Sequence, residues 1–369
     1  MGTELSIDPT AKPTTKSEVD FLIVGQGLSG TFLSYFLLKA GKKVLVIDDG
    51  RSGTASKVAS GVINPVTGRR IVRTWRIDEL LPFALQTYQK LETEWGTSLV
   101  KQCSVLDFHP NLQMKDAFEK RLTEETEYLH TTTAAPWSQY FNFHYDIGEI
   151  SPCLLINIHE LLTQWRARLG LTNSLLRETF AIDNSLVTDN TVVYKNIIAK
   201  KIIFCDGVAG VENLFFKNLP YAPNKGEAII VQIDDLPKEH IYKQGLSIVP
   251  WKEDLFWIGS SYEWNFTDDQ PTSAFHDRVV QQLQFWLKLP FKVVDHLASI
   301  RPANMERRPF VGLHPNHPAV GILNGMGTKG CSLAPFFAKQ MADLLTNETP
   351  VYPDADVKRF KRILERKMN

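Results

Sequence analysis

Four cysteines in 369 residues are too few and too scattered for a disulfide framework. Cys103, Cys153, Cys205 and Cys331 form no CxxC pair, which argues against zinc and suits a reducing compartment. The nine histidines show no metal-ligand spacing; His109, His144 and His296 read as ordinary, and no metal is expected. An excess of one charge is also missing. Lys+Arg and Asp+Glu both number 41, so nothing marks a generally nucleic-acid-seeking chain. No apolar run approaches the ~20 residues of a membrane helix. Residues 1–17 are polar, hold two prolines and lack the apolar stretch of a signal peptide, so they read as a disordered tail. There is no internal repeat. These absences leave a soluble, cytoplasmic protein, long enough for two domains with sizeable cores.

What is present is concentrated first in thirty residues, Val19 to Asp48. The run Val19 to Val24 reads as a buried strand. It leads into Gly25-Gln26-Gly27-Leu28-Ser29-Gly30, a helical stretch Thr31 to Ala40, a stop at Gly41, a second strand Lys43 to Ile47, and Asp48. Each part has a physical task. Gly25 permits the tight strand-to-helix turn, Gly27 lets a pyrophosphate approach the backbone, and Gly30 lets the helix pack close to the strand. The helix N-terminus offers free N–H groups to phosphates. Asp48 can accept hydrogen bonds from both ribose hydroxyls. GxGxxG alone is often just a glycine-rich turn; with both strands, the helix and the acid in register it predicts a dinucleotide site.

Further along, the patterning alternates between two kinds of segment. After a small-residue loop, Ser52 to Gly68, helical periodicity covers Leu80 to Trp95. A short strand is expected at Ser104–Phe108, a polar helix around Asp116–Glu127, and aromatic-rich strand pieces near Tyr140–Tyr145. Pro152 is read as opening an amphipathic helix through Leu169, closed by Gly170. Strand-like runs follow at Ser174–Phe180, Leu186–Thr188 and Thr191–Asn196. The very apolar Lys201 to Cys205 ends in Asp206-Gly207 like a further strand of the cofactor sheet. Residues 226–262 alternate with period two, the pattern of an antiparallel sheet with one solvated face. Helices are expected at Ser273–Leu287 and Leu333–Leu345.

Six of these segments, in order, resemble the glycine/D-amino-acid oxidase family of FAD-dependent oxidoreductases, over nearly the whole chain after about residue 18. Asp20 to Asp48 is similar to the family's FAD-binding start, and Ala59-Ser60-Gly61-Val62-Ile63-Asn64-Pro65 to its loop beside the flavin. Lys201 to Gly207 resembles the second FAD strand. Pro223-Asn224-Lys225-Gly226-Glu227 resembles the segment that begins the substrate sheet. Arg301-Pro302 with Arg308-Pro309-Phe310-Val311-Gly312, and Asn324-Gly325-Met326-Gly327-Thr328-Lys329-Gly330 leading to Leu333-Ala334-Pro335, complete the set. The closing loop, together with Asn64-Pro65 and Gly68-Arg69-Arg70, looks most like the oxidase domain of a bacterial tRNA-modification enzyme, which removes a carboxymethyl group from a wobble uridine. This chain carries neither a methyltransferase domain nor net positive charge, so the resemblance supports that chemistry better than tRNA as substrate.

The resemblance implies a mixed α/β fold: a Rossmann-like FAD domain from residues 18–97, 152–220 and 297–369, interleaved with an antiparallel-sheet substrate domain from 98–151 and 221–296. It implies non-covalent FAD, because Cys331 lies in a different context from the cysteines of relatives with covalent flavin. The residues expected to bind FAD are Gly25, Gly27, Leu28, Ser29 and Gly30; Asp48 and Asp49; Ala59, Ser60 and Gly61; Phe180; Cys205, Asp206 and Gly207; and Gly325, Gly327, Thr328, Lys329 and Gly330. The implied reaction is oxidation of a C–N bond in a small amine, amino acid or N-carboxymethyl amine, with hydride passing to flavin N5. Arg301 is expected to hold the substrate carboxylate with its planar fork; the alternative is an arginine that ties down a loop through backbone carbonyls. Lys329 is expected to place positive charge near the flavin or reach the substrate, and Tyr262, after Ser261, to contact substrate. Arg69, Arg70, Arg73 and Trp75 could receive an anion or serve structural ion pairing, and Lys358 to Arg362 reads as a solvated helix face. Two rivals stay open: a tRNA-modifying oxidase, whose RNA binding would depend on salt, and a flavoprotein subunit of a larger complex with no substrate of its own.

Overall fold

The computed structural model describes residues 17–68 and 70–365, so the expected tail lies outside the described residues, apart from Ser17, which opens the first strand. That strand, Ser17–Val24, is buried at Phe21 to Val24 and lies between two parallel partners, Val44–Ile47 and Ile197–Phe204. Ile23 sits opposite Val46 on one side and Ile203 on the other. Strands covered on both faces need apolar side chains at every position, which is why these runs do not alternate. Val320–Asn324 extends the sheet in parallel beyond Ile197–Phe204, short antiparallel strands finish that side, and Leu175–Leu176 closes the opposite edge in parallel with Val44–Ile47. The helices Leu28–Lys39 and Gly330–Asn347 pack together on one face, burying Phe32, Leu33, Phe337 and Met341.

The second sheet has nine strands. Its longest pair, Asn224–Gln232 and Lys292–Arg301, runs antiparallel with Asn224 opposite Arg301 and Gly226 opposite Ser299. Helix Ser273–Trp286 covers one face, its Phe275, Val279 and Leu283 meeting Ile229, Val231 and Ile258. One pairing departs from the antiparallel expectation: His240–Gln244 runs parallel to Val100–Phe108. These strands are far apart in sequence, and the long connection between them permits the crossover that a parallel pair needs.

Three local expectations are corrected. Pro152 lies inside the strand Ile147–Ile156, and the helix begins only at Ile158, running to Leu171. A proline is tolerated in that strand because the register against Val100–Phe108 slips between Cys103 and Val105, opposite Ser151 and Pro152, so a ladder donor is not needed there. Asn157 caps the helix instead, its side-chain oxygen accepting from Glu160 N–H at 3.1 Å. The aromatic stretch near 140–145 forms a single bridge, Phe141 to Leu287, not strands. Phe141 is a core plug between Phe108 and Trp286. The run Ser174–Phe180 contributes only Leu175–Leu176 to the sheet. Strand Ile147–Ile156 runs across residue 152 and Lys292–Arg301 across residue 297, and Val62–Ile63 pairs with Leu154 and Leu155 in the second sheet. The two sheets are thus stitched by shared segments. Among the described residues, no helix is long and apolar enough to cross a membrane.

Candidate active site

A cavity of about 1040 Å³ runs between the two sheets. At one end the strand Ser17–Val24 delivers the chain into Gly25, whose φ of +96° and position suit only glycine: a Cβ there would stand 2.5 Å from Cys205 O. Gly27 begins the helix, bare toward the cavity, and Ser56 Oγ accepts the Leu28 N–H at 3.2 Å. Gly30 faces inward, where a Cβ would meet Gly25 O at 1.8 Å, so it serves helix packing and does not line the cavity.

Asp48 lines the cavity, but its carboxylate is more occupied than the sequence suggests. Oδ2 accepts from Gln26 N–H at 2.8 Å; Oδ1 accepts from Gly50 N–H at 2.8 Å and from the Arg166 guanidinium. With Oδ1 shared by two donors and Oδ2 holding one, the carboxylate keeps a lone pair on Oδ2 open toward the cavity. Arg166, from helix Ile158–Leu171, was not singled out in the sequence because only folding brings it across to the Gly25–Gly30 turn. Asp49 accepts from Arg51 N–H and from the Thr179 hydroxyl.

The middle of the cavity is walled by Ala59, Ser60 and Gly61 on one side and by Cys205, Asp206 and Gly207 on the other. Gly61, at φ +86°, is pressed to strand Ile147–Ile156, its carbonyl accepting the Ile156 N–H at 2.9 Å. Burial raises the Asp206 carboxyl to about 6, although Asn213 and Asn324 side chains donate to it at 2.9 and 2.8 Å. Phe180 lines the wall stacked on Tyr194, with ring centroids 5.0 Å apart.

The far end is built by the second sheet. Arg301 is mostly withdrawn from solvent, and its guanidinium lies over Gly226, where a Cβ would come within 1.7 Å of Nη2. Nη1 donates to Asn224 Oδ1 at 2.8 Å, and both Nη atoms donate to Ser261 O at 3.2 Å. The loop-tying role is therefore real, yet it consumes one edge of the fork. Nε and the second N–H of Nη2 have no hydrogen-bond partner among the described residues. His296, read as ordinary, also lines the cavity, 3.0 Å from the fully buried Glu227, whose carboxylate accepts the Thr272 N–H and hydroxyl at 2.7 and 2.9 Å.

The closing loop divides. Gly327, Thr328 and Gly330 line the cavity, and Gly327 N–H donates to Pro302 O at 3.2 Å. Gly325 instead turns against Asn304 and Phe310. Lys329 points away from the cavity wall, its Nζ donating to Thr74 Oγ1 at 2.9 Å. Tyr262 is half exposed on Trp264, with the Arg301 guanidinium 5.6 Å from its ring. Arg73 is structural, paired with Asp78, Glu125 and Glu127; Arg70 is exposed, and Arg69 lies outside the described residues. Among the described residues there is no cluster of metal-ligating side chains.

The family model described as FAD dependent oxidoreductase matches residues 20–344. The chain belongs to this family. Glycine oxidases of Pseudomonas putida strain KT2440 and Bacillus subtilis strain 168 are 23% and 22% identical to it, each over 90% of this chain and 96% and 94% of their own lengths. Among solved structures, glycine oxidase from Geobacillus kaustophilus aligns with a TM-score of 0.76 at 16% identity, covering 96% of this chain and all of that one. Iminodiacetate oxidase from Chelativorans sp. BNC1 aligns at 0.74 and 18%, covering 90% and 97%. The cofactor of this FAD-dependent oxidoreductase fits the site. The cavity is at the upper end of ligand-pocket volumes, starts at a glycine-begun helix N-terminus suited to a pyrophosphate, where the rotatable Ser56 hydroxyl takes the Leu28 N–H, and is lined by the small residues Gly27, Ala59, Ser60, Gly61 and Gly207, which leave backbone-depth space for a flat ring system.

Proposed function

We propose that this oxidoreductase oxidises the C–N bond of a small amine that carries a neighbouring carboxylate, such as an amino acid or an N-carboxymethyl amine. The observation that carries the reading is the Arg301 fork. It is sequestered, oriented by Asn224 and Ser261 O, and free along the one edge that can hold a carboxylate bidentately. When bound, FAD would supply the two-electron oxidation of the C–N bond, and the imine product would be hydrolysed by water. The chain's own contribution is placement. Arg301 fixes the acid, and Gly226 below it leaves room for the guanidinium to lie flat. The relatives' named activities, on glycine and iminodiacetate, involve amines of this class. Asp48, with Gln26 and Arg166 around it, would receive the adenosine ribose, and Gly207, Gly327 and Thr328 the flavin end.

The test is anaerobic mixing of the flavin-loaded protein with glycine, sarcosine, D-amino acids, iminodiacetate and simple alkylamines. Carboxylate-bearing amines are expected to bleach the flavin and the alkylamines to leave it yellow. Arg301→Ala should abolish that discrimination. An intact flavin with every amine, or equal bleaching by alkylamines, would sink the reading.

A further inference from the structure

Four carboxylates that are not exposed line the cavity: Asp48, Glu178, Asp206 and Glu227. Three of them sit beside a cation. Asp48 is paired with Arg166, Glu178 with Lys195 at 2.7 Å, and Glu227 lies 3.8 Å from the buried Lys225 Nζ. Asp206 is the exception. It joins no ion pair among the described residues, and the partners of its carboxylate are two neutral amides: Asn213 Nδ2 donates to Oδ2 at 2.9 Å and Asn324 Nδ2 to Oδ1 at 2.8 Å. The short helical turn Gly207–Glu212 closes over the group because Gly210 has no side chain. A Cβ there would stand 2.6 Å from Asn324 Nδ2 and from Tyr221 Oη, and 3.1 Å from Asp206 Oδ1.

The place of this carboxylate gives it a consequence. Strand Ile197–Phe204 runs out against the Gly25 turn, where a Cβ on Gly25 would come within 2.5 Å of Cys205 O and 3.4 Å of Asp206 Cα. Gly25 and Gly27 line the same cavity, at the helix N-terminus suited to a pyrophosphate. An acid without a cation therefore borders the place where an anion is received, and two negative groups repel strongly in a partly desolvated site. The other titratable groups around Asp206 supply no counter-charge. Burial keeps the protons on Tyr221 and Cys205, so both are neutral. Glu212, on the covering turn, is an exposed acid, and Asp48, across the Gly25 turn, is already matched by Arg166. A proton on Asp206 removes the conflict and turns an acceptor into a donor.

We propose that Asp206 meets bound FAD as a neutral acid, its carboxyl proton shared with an oxygen of the cofactor beside the Gly25 turn, so that FAD binding takes up one proton from water. This rests on the placement of FAD in the cavity. Burial already lifts the Asp206 carboxyl to about 6, and an anion alongside raises it further. Below about pH 6 the group is protonated with or without the cofactor, and affinity does not change with pH. Above that value each binding event adds a proton, and affinity falls as pH rises.

The test dilutes the flavin-loaded protein toward its Kd between about pH 5 and pH 9 and reads released flavin by its fluorescence. The Kd is expected to be flat below about pH 6 and to rise by up to about tenfold per pH unit above it. Asp206→Asn, neutral at every pH, should flatten the profile and bind FAD at least about tenfold more tightly than wild type near pH 8. A slope that survives in Asp206→Asn overturns the proposal. A second readout needs no dissociation: the infrared difference between flavin-loaded wild type and Asp206→Asn near pH 7.5 should contain a protonated-carboxyl C=O band, and an ionised-carboxylate band in its place overturns the proposal. Gly27→Ala keeps the two levels apart, since it should raise Kd alike at every pH and leave the slope. A Kd unchanged in Gly27→Ala refutes the cofactor placement itself. A flat wild-type profile, with Gly27→Ala weakened, refutes only the proton on Asp206.

Discussion

Arg301 owes its position to a residue with no side chain. Its guanidinium occupies the space above Gly226, and an alanine Cβ there would stand 1.7 Å from Nη2. Gly226→Ala is therefore expected to displace the fork and lower kcat/KM for carboxylate-bearing amines about 10- to 100-fold, the range of a charge-assisted hydrogen-bonded pair. Flavin occupancy should be unchanged; full activity would show that Arg301 does not hold the acid. Lys329 carries a pH signature. Its pKa falls from 10.5 to about 8 in the fold, chiefly through burial. Below about pH 8 both states are protonated and the native state bears the full cost of a partly buried charge. Above 10.5 both are neutral and the cost vanishes. Lys329→Met should thus stabilise the protein by at most about 3 kcal/mol at pH 7. The gain should fade as pH rises from 8 to 10.5 in denaturant titrations, and a gain that is flat with pH would contradict the assignment.

Among the secondary elements, the first turn and helix separate structure from binding within four residues. Gly30 faces Gly25 O, a backbone atom that cannot yield, so Gly30→Ala should cost about 1–3 kcal/mol of stability and lose flavin with it. Gly27 meets only the Ser56 hydroxyl, at 3.0 Å, a side chain free to rotate. Gly27→Ala should leave the melting temperature of the flavin-free protein nearly unchanged yet reduce FAD occupancy. If both substitutions lower apoprotein stability alike, Gly27 is a packing residue. Unbroken apolar strand runs made this unit legible, because parallel strands buried on both faces must be apolar throughout. The helix start at Ile158 was not legible from Pro152. The strand Ile147–Ile156 continues through that proline at a register slip, a feature of its partner strand rather than of its own residues.

On the scale of the whole molecule, the cavity joins the two sheets. Trp257, on strand Leu255–Gly259, donates its indole N–H to Val58 O at 2.9 Å, tying the second sheet to the loop that carries Ala59 to Gly61. A ligand that fills the space between sheets binds only the folded state and so stabilises it, by about 4 kcal/mol when present at a thousand times its Kd. Removal of FAD is expected to lower the melting temperature. Trp257→Phe, which loses about 1 kcal/mol of hydrogen bonding, should weaken FAD roughly fivefold. An unaltered FAD affinity would mean that the Val58 contact does not hold the flavin loop in place.

The sequence by itself determined the dinucleotide unit, the family and the order of the segments that meet at the cavity, because glycine at Gly25, Gly27 and Gly30 and unbroken apolar strands are demands of local backbone geometry and burial. Tertiary structure alone decided how side-chain charge is distributed. Arg166 reaches Asp48 from a distant helix, Arg73 is consumed by Asp78, Glu125 and Glu127, and Lys329 turns from the cavity to Thr74. Charged side chains are long and find partners across the fold, so their pairing follows from which elements pack together and not from where they stand in the chain.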